Sequence, residues 1–377
     1  VLFGILGSGL PVADNMKRRI GILTGGGDAP GLNAVIRAVA LTARNKYGWE
    51  VVGIREGFDG LMHGASTVPL PKGRVRDLLA RGGTILGAVN RGNPFSHTVI
   101  APDGSEQVVD VSDQALQRIH DLDLDALVAA GGDGTMAIAQ SLVAMGAKIV
   151  GVPKTIDNDL AMTDVTFGFD TAILTATEAL DKLQTTAESH HRIMIMEVMG
   201  RDAGWIALYS GIAGGADAIL IPEIPFDIDK VAAKMETTRI GRRGYGLVVV
   251  AEGAAMLGGD QHYYIGDKGS AAGRLGGVGY LVGNLLADKL DADVRVTVLG
   301  HLQRGGQPTP RDRLLATQFG HAAVDLIAQE KWGYMVALRG NDIVPVLMTE
   351  AIRHLKAVDP AGDMVRMARD LGISFGT

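Results

Sequence analysis

The sequence contains no cysteine. Disulfides and thiolate chemistry are therefore excluded. This agrees with a reducing compartment, and the cytoplasm is the expected location. A basic excess is also lacking: 36 Lys and Arg stand against 42 Asp and Glu, a formal net charge of −6. A chain that wraps nucleic acid needs a basic face, so that partner class is not expected. No apolar run reaches the roughly 20 residues of a spanning helix, so no membrane segment is expected. The first stretch, VLFGILGSGLPVADN, is apolar but short and has no basic region ahead of it, which makes a poor signal peptide. Residues 1–15 are expected to form a disordered extension, with the ordered chain starting near Met16. Short-period repeats and low-complexity tracts are absent too.

The 377 residues are 47% apolar and 21% charged, which suits two globular domains or one large α/β body. One theme recurs: a short apolar run, a Gly-rich polar turn, then a helical pattern. RRIGIL precedes TGGGDAPG, DALVAA precedes GGDGT, and KIVGV precedes PKTIDND. RIMIMEV precedes MGRDAG, ADAILI precedes Pro222 and Glu223, and RVTVLG precedes HLQRGG. Continuous apolar strands alternating with helices predict mostly parallel sheets covered on both faces. Ligands bind such sheets at the C-terminal ends of the strands, where all six turns sit. The segment Met256–Gly279 lacks periodicity and reads as mostly loop.

Each turn has a bland reading beside a chemical one. GGGDAPG (25–31) is either a tight strand–helix turn or a phosphate cradle made of backbone N–H groups. It lacks the GK[ST] of a P-loop. In GGDGT (131–135), Asp133 has the oxygen chemistry to hold Mg²⁺, while Thr135 also suits an ordinary helix N-cap. In PKTIDND (153–159), Asp157 and Asp159 form either a solvated turn or a general base with a supporting carboxylate. Arg192, Arg201, Arg295, His301 and Arg304 are individually surface charges, but together they suit a phosphomonoester. His190 and His191 are adjacent, which is poor spacing for one ion, and no other histidine cluster is visible. Metal ligation by histidine is therefore not expected.

GILTGGGDAPGLNAVIR, GGDGT, PKTIDND, EVMGRDAGWIAL, Pro222–Glu223 and VTVLGHLQRGG occur in this order. Together they resemble the 6-phosphofructokinase family, of the phosphofructokinase A type, from about Arg19 to the final helices. The resemblance implies an α/β fold of two Rossmann-like three-layer lobes with the active site in the cleft between them. A larger donor-binding lobe is expected over 16–168 and 303–355, and a smaller sugar-phosphate-binding lobe over 169–302 and 356–377. The implied reaction is phosphorylation of fructose 6-phosphate at its 1-hydroxyl, with Mg²⁺ and a phosphoryl donor. Asp157 is implied as general base, with Arg201, Asp159 and Lys154 beside it and Asp133 serving the metal. Gly27, Arg91, Gly92, Gly132, Asp133, Gly134 and Thr135 are implied along the donor. Thr155, Ile156, Asp157, Met199, Gly200, Arg201, Glu223, His301 and Arg304 are implied around the sugar phosphate. Arg192 and Arg295 are implied to reach a neighbouring subunit's site, which requires a homo-oligomer, dimer or tetramer.

The donor signature is mixed. Gly134 follows the pattern of ATP users, while Lys154 follows that of pyrophosphate users. An Asp at 134 would repel the α-phosphate of ATP, whereas Lys154 excludes nothing. ATP is therefore the expected donor, as in the mixed-substrate branch, and pyrophosphate the alternative. A kinase of another acceptor, such as NAD kinase, shares GGDGT, and a non-catalytic nucleotide-binding subunit is a further alternative. Arg37 matches one effector-site arginine of the allosteric bacterial enzymes, but Leu41 and Gln184 stand where two others would be. Weak regulation of that type is expected.

Overall fold

The computed structural model describes residues 17–64, 67–89, 92–240, 244–261, 263–264 and 274–377. The expected N-terminal extension and Arg91 lie outside the described residues. In chain order come β1 (Arg19–Thr24), α1 (Leu32–Tyr47), β2 (Glu50–Ile54), α2 (Gly57–Met62), β3 (Thr67–Pro69) and α3 (Lys72–Val75). The hairpin β4 (His97–Ile100) and β5 (Glu106–Val109) precedes α4 (Ser112–Asp121), β6 (Ala126–Gly131) and α5 (Asp133–Ala144). Then follow β7 (Ile149–Thr155), β8 (Phe167–Gly168), α6 (Phe169–His190), β9 (Ile193–Val198), α7 (Trp205–Ala213), β10 (Ala218–Leu220) and α8 (Ile228–Ile240). After β11 (Gly246–Ala251), one short pair, β12 (Tyr263–Tyr264) and β13 (Arg274–Leu275), interrupts the stretch read as loop. The chain continues through α9 (Val278–Lys289), β14 (Val294–Val298), a 3₁₀ turn (Gly300–Arg304) and α10 (Pro310–Ala328). It ends with β15 (Tyr334–Arg339), β16 (Asp342–Leu347), α11 (Met348–Ala351) and α12 (Asp363–Asp370).

Two sheets organise these elements. The larger runs β16-β15-β7-β6-β1-β2-β3, with β8 also paired to β7. It is parallel except at its two edges, where β16 and β3 run antiparallel to their neighbours. The smaller runs β10-β11-β9-β14 and is parallel throughout. The central strands β6, β7, β9 and β11 are buried at every position. This is why they read as continuous apolar runs rather than as alternating ones.

Both faces of each sheet are covered. Leu32, Ile36 and Val39 of α1 and Phe319, Ala323 and Val324 of α10 pack on one face of the larger sheet, while Met136 and Leu142 of α5 pack on the other. In the smaller sheet, α6 and α7 cover one face and α8 and α9 the other. Local sequence starts these helices. Thr309 caps α10 by accepting from the Asp312 amide, and Pro310 occupies the first turn, where no amide is needed. Gly31 opens α1 at φ 108°, and a Cβ there would lie 2.6 Å from the Phe167 ring. No helix among the described residues is long and apolar enough to cross a membrane.

Candidate active site

The turns after β1, β6 and β7 of the larger sheet meet those after β9, β11 and β14 of the smaller one. Arg304, in the 3₁₀ turn, donates to the Asp28 carbonyl at 3.2 Å and so spans the two sheets. Gly27 makes room for it, since a Cβ at 27 would lie 2.3 Å from the guanidinium. The Gln303 side chain accepts from the Met199 amide at 3.3 Å, which fixes the turn after β9 against the turn after β14.

The PKTIDND segment forms the end of β7 and the loop beyond. Lys154 is 4% exposed and its Nζ donates to the Gly27 carbonyl. Burial, together with the Arg304 guanidinium, brings its ammonium down to about 8, against the pull of Asp157, Asp159 and Asp28. The Asp157 amide donates to Thr155 Oγ1 at 3.1 Å. Asp157 Oδ1 is buried without a hydrogen-bond partner. Burial raises the Asp157 carboxyl, Arg304 and Lys154 lower it, and Asp202 and Asp133 raise it. Asp159 is pushed up to about 7 by burial, then by Asp157 and Asp133. Asp133 thus acts on both raised carboxyls, and Asp157 Oδ1 is left unpaired. Such oxygens are of the type a hard divalent cation takes, although the three carboxylates do not close on one point as a preformed cluster. The Ile156 side chain turns into the core, so that residue offers the site only its backbone.

Two hollows flank these groups. One, of about 410 Å³, is bounded by Gly25, Gly26, Gly92, Gly134, Thr135 and Phe58. Gly132 is the N-cap of α5 and Asp133 begins the helix, so its first amides face this hollow. The other holds Glu197, Met199, Glu252, Gly277, Gly300 and His301. His301 and Arg304 also line the space beside Gly26, Gly27 and Asp28 that lies between the two.

Not every expected residue converges here. Glu223 is held by backbone: its carboxylate accepts from the Gly204 amide at 3.0 and 3.1 Å and from the Val358 amide at 2.7 Å. Glu252, missed in the sequence, takes the position facing Asp157. Burial, then Asp157 and Glu197, push it up to about 7, with Arg304 pulling the other way. Its signal was available, because it directly follows the buried strand YGLVVVA. Arg201 follows Gly200 in the turn after β9, half exposed and 3.7 Å from the Asp202 carboxylate. Arg192 and Arg295 stand elsewhere. Arg192 precedes β9, and Arg295 pairs with Met194 near the start of that strand. Seven residue steps at ~3.3 Å each put Arg192 roughly 23 Å from Met199. Both arginines pair with Asp293, Arg192 at 2.6 Å.

One expectation is corrected outright. A histidine cluster does exist, because the β4–β5 hairpin folds His97 against His63 and Asp59. The two histidines are far apart in sequence, which hid the pairing.

Comparison with known proteins agrees with this geometry. The family described as Phosphofructokinase matches residues 19–327. A Chloroflexus aurantiacus protein named ATP-dependent 6-phosphofructokinase is 52% identical over 362 residues, 96% of this chain and 98% of that one. An Amycolatopsis methanolica protein named pyrophosphate–fructose 6-phosphate 1-phosphotransferase is 50% identical over 343 residues, 91% of this chain and 96% of that one. The solved Pichia pastoris phosphofructokinase in the T-state superposes with a TM-score of 0.77 at 33% identity, covering 89% of this chain. This chain spans only 35% of that longer one. The chain belongs to the phosphofructokinase family.

Proposed function

We propose that this protein is an ATP-dependent 6-phosphofructokinase, transferring the γ-phosphoryl group to the 1-hydroxyl of fructose 6-phosphate. The observation that carries the reading is Asp157, a carboxylate with a buried unpartnered oxygen, coupled by charge to Glu252, to Arg304 and to Asp133. The 1-hydroxyl oxygen forms its bond to the γ-phosphorus as the bond from that phosphorus to the β-bridging oxygen breaks. Asp157 takes the hydroxyl proton, and ADP leaves. The reaction needs placement and charge neutralisation rather than a covalent intermediate, and the chain supplies both.

The larger sheet and its helices form the donor-binding lobe in this reading, and the smaller sheet the sugar-phosphate lobe. Glycines 25–27, Gly92, Gly132 and Gly134 admit the donor phosphates against backbone amides. Asp133 would hold Mg²⁺, which would supply positive charge against that of the donor phosphates, and Asp157 stays free to act as the base. Thr155, Met199, Gly200, His301, Arg304 and Glu252 enclose the sugar. Arg201 faces the charge that develops on the transferred group. Arg192 and Arg295, remote from their own subunit's site, serve the 6-phosphate of a neighbour in a homo-oligomer.

Relatives named for ATP and for pyrophosphate differ by only two percentage points of identity, so Gly134 weighs more in the donor choice than overall resemblance. A Cβ at 134 would meet nothing within 4 Å, which leaves open the space a larger donor needs. An NAD kinase-like acceptor is disfavoured by the convergence of Glu252, His301 and Arg304. A non-catalytic role is disfavoured by the intact Asp133, Asp157 and Arg201. The direct test is purified protein with fructose 6-phosphate and Mg²⁺, and either ATP or pyrophosphate. Turnover with ATP is expected. Turnover only with pyrophosphate would reverse the donor choice, and none with either would remove the reading.

A further inference from the structure

Helix α2 and the β4–β5 hairpin bring together three side chains that the reaction does not use. Asp59 lies in α2 and His63 follows its last residue, four positions on, so both project from one face. His97 opens β4. The ligand atoms of Asp59, His63 and His97 all lie within 4.8 Å of one another. His63 Nδ1 is 3.3 Å from Asp59 Oδ2. The two imidazoles are 5.0 Å apart, centroid to centroid, and tilted by 58°. A surface ion pair accounts for Asp59 and His63 alone. It does not account for a second imidazole, from a distant segment, at the same spot.

We propose that Asp59, His63 and His97 form a binding site for a divalent cation of the zinc class. Two imidazole nitrogens and one carboxylate oxygen are the donor set of open, three-ligand zinc sites. Mg²⁺ prefers oxygen ligands throughout, so this site is chemically distinct from one at Asp133. Bonds of ~2.0–2.2 Å require the three side chains to draw in around the ion. His63 is 55% exposed and its Nδ1 lies 3.2 Å from the Asp59 carbonyl, a contact the ring would give up on binding, and water can take the fourth position. The site borders the donor hollow. Phe58, next to Asp59, lines that hollow, and a Cβ at Gly92 would lie 2.8 Å from the Asp59 amide. A bound ion would therefore tie α2 to the hairpin at the rim of the hollow.

The test uses the full chain, stripped with chelator and free of nucleotide, so it stands apart from the phosphoryl-transfer reading. Zn²⁺ alone is titrated against a chromogenic competitor, with Co²⁺ as a spectroscopic probe. The wild type is expected to bind one equivalent more tightly than H63A or H97A, by roughly tenfold or more. Co²⁺ should give the wild type an intense visible band of a low-coordinate site, lost in both variants. Zn²⁺ should raise the melting temperature of the wild type but not of the variants. H63A changes an exposed side chain at a helix end, so it keeps the test valid if H97A disturbs the hairpin. Equal stoichiometry and affinity in the wild type and H63A would overturn the site, as would a pale six-coordinate Co²⁺ spectrum unchanged by either substitution.

Discussion

Lys356 Nζ donates to Asn158 Oδ1 at 2.9 Å, and so ties the C-terminal segment to the loop that carries Asp157 and Asp159. The same ammonium donates to the carbonyls of Thr163 at 2.9 Å and Asp164 at 3.0 Å. The Lys356 amide reaches the Asp159 carbonyl at 2.7 Å, and Trp205 Nε1 donates to the Lys356 carbonyl at 2.6 Å. Asn158 itself sits at φ 53°, a left-handed conformation that needs such support.

Replacing Lys356 by Met removes the charge and leaves two carbonyls without their donor. An unsatisfied buried polar group costs about 1–3 kcal/mol. K356M is expected to lose no more than about 1–2 kcal/mol of stability in urea unfolding, because the Asp164 carbonyl is exposed to water and burial already holds the ammonium down at about 8. Because the loop holding the base loses its anchor, kcat should fall by roughly tenfold or more, with the Michaelis constant for ATP less changed. Unaltered kcat in folded K356M would show that the loop is positioned without it.

Asp157→Ser should lower kcat by ~10² or more while the Michaelis constant for fructose 6-phosphate changes much less, because the lost interaction is made only as the proton moves. Burial raises this carboxyl above the ordinary Asp range. The base works only when ionised, so activity should fall as pH drops through that raised value. The acid limb of kcat/KM should lie above the ordinary carboxylate pKa. Intact turnover with a large loss of sugar-phosphate affinity would reject the assignment.

Five of the six strand-end turns were legible because β1, β6, β7, β9 and β10 are buried almost throughout and therefore read as apolar runs; β14, before His301 and Arg304, is only half-buried, and its turn was legible in HLQRGG itself. Asp133 and Asp157 each follow a buried run closely, and they converge with His301 and Arg304. Glu223 also follows an apolar run, and its carboxylate accepts from the amides of Gly204 and Val358. Glu252 has the same sequence signal, and only the packing of β11 beside β9 shows which of the two faces Asp157. Lys356 and the pairing of His63 with His97 depend on contacts between distant segments. No local pattern encodes those.

Gly134→Asp should fold normally, since the added atoms enter open space. A carboxylate there would oppose the α-phosphate of ATP but not the shorter pyrophosphate. The kcat/KM for ATP should fall at least roughly tenfold, and the ratio of pyrophosphate to ATP activity should rise. Lys154, already present and buried against Gly27, supplies the positive charge such a switch needs. A variant with unchanged donor preference would show that position 134 does not govern it.

Arg192→Ala and Arg295→Ala should each raise the Michaelis constant for fructose 6-phosphate by roughly tenfold or more, the scale of a lost charge-assisted contact. Both residues lie near the strand ends opposite Met199, so the effect is expected to act on a neighbouring subunit. In mixed oligomers of D157S and R192A, part of the turnover should therefore regain the wild-type Michaelis constant for fructose 6-phosphate, which R192A alone lacks, while D157S alone turns over little. Each hybrid can hold one site with both an intact base and an intact arginine. If the mixture stays at the average of its parents, the arginines act within their own chain.

Glu252→Gln should separate stability from function. Its carboxyl is raised from the ordinary 4.5 to about 7 by burial, with Asp157 and Glu197 adding to the effect. The folded state then binds more protons than the unfolded one between those values. Stability therefore falls as pH rises through this window, and the deficit is complete above about 7. A neutral amide removes the deficit, so E252Q without ligands should be more stable than wild type at pH 8 by about 1–3 kcal/mol. At pH 4 the difference should vanish. The same substitution removes an acceptor from the sugar hollow, so the Michaelis constant for fructose 6-phosphate should rise. Urea unfolding at the two pH values, set beside steady-state kinetics, checks both halves. A variant less stable than wild type at pH 8 would mean that the carboxylate is stabilised where it sits, and that the buried charges are already balanced.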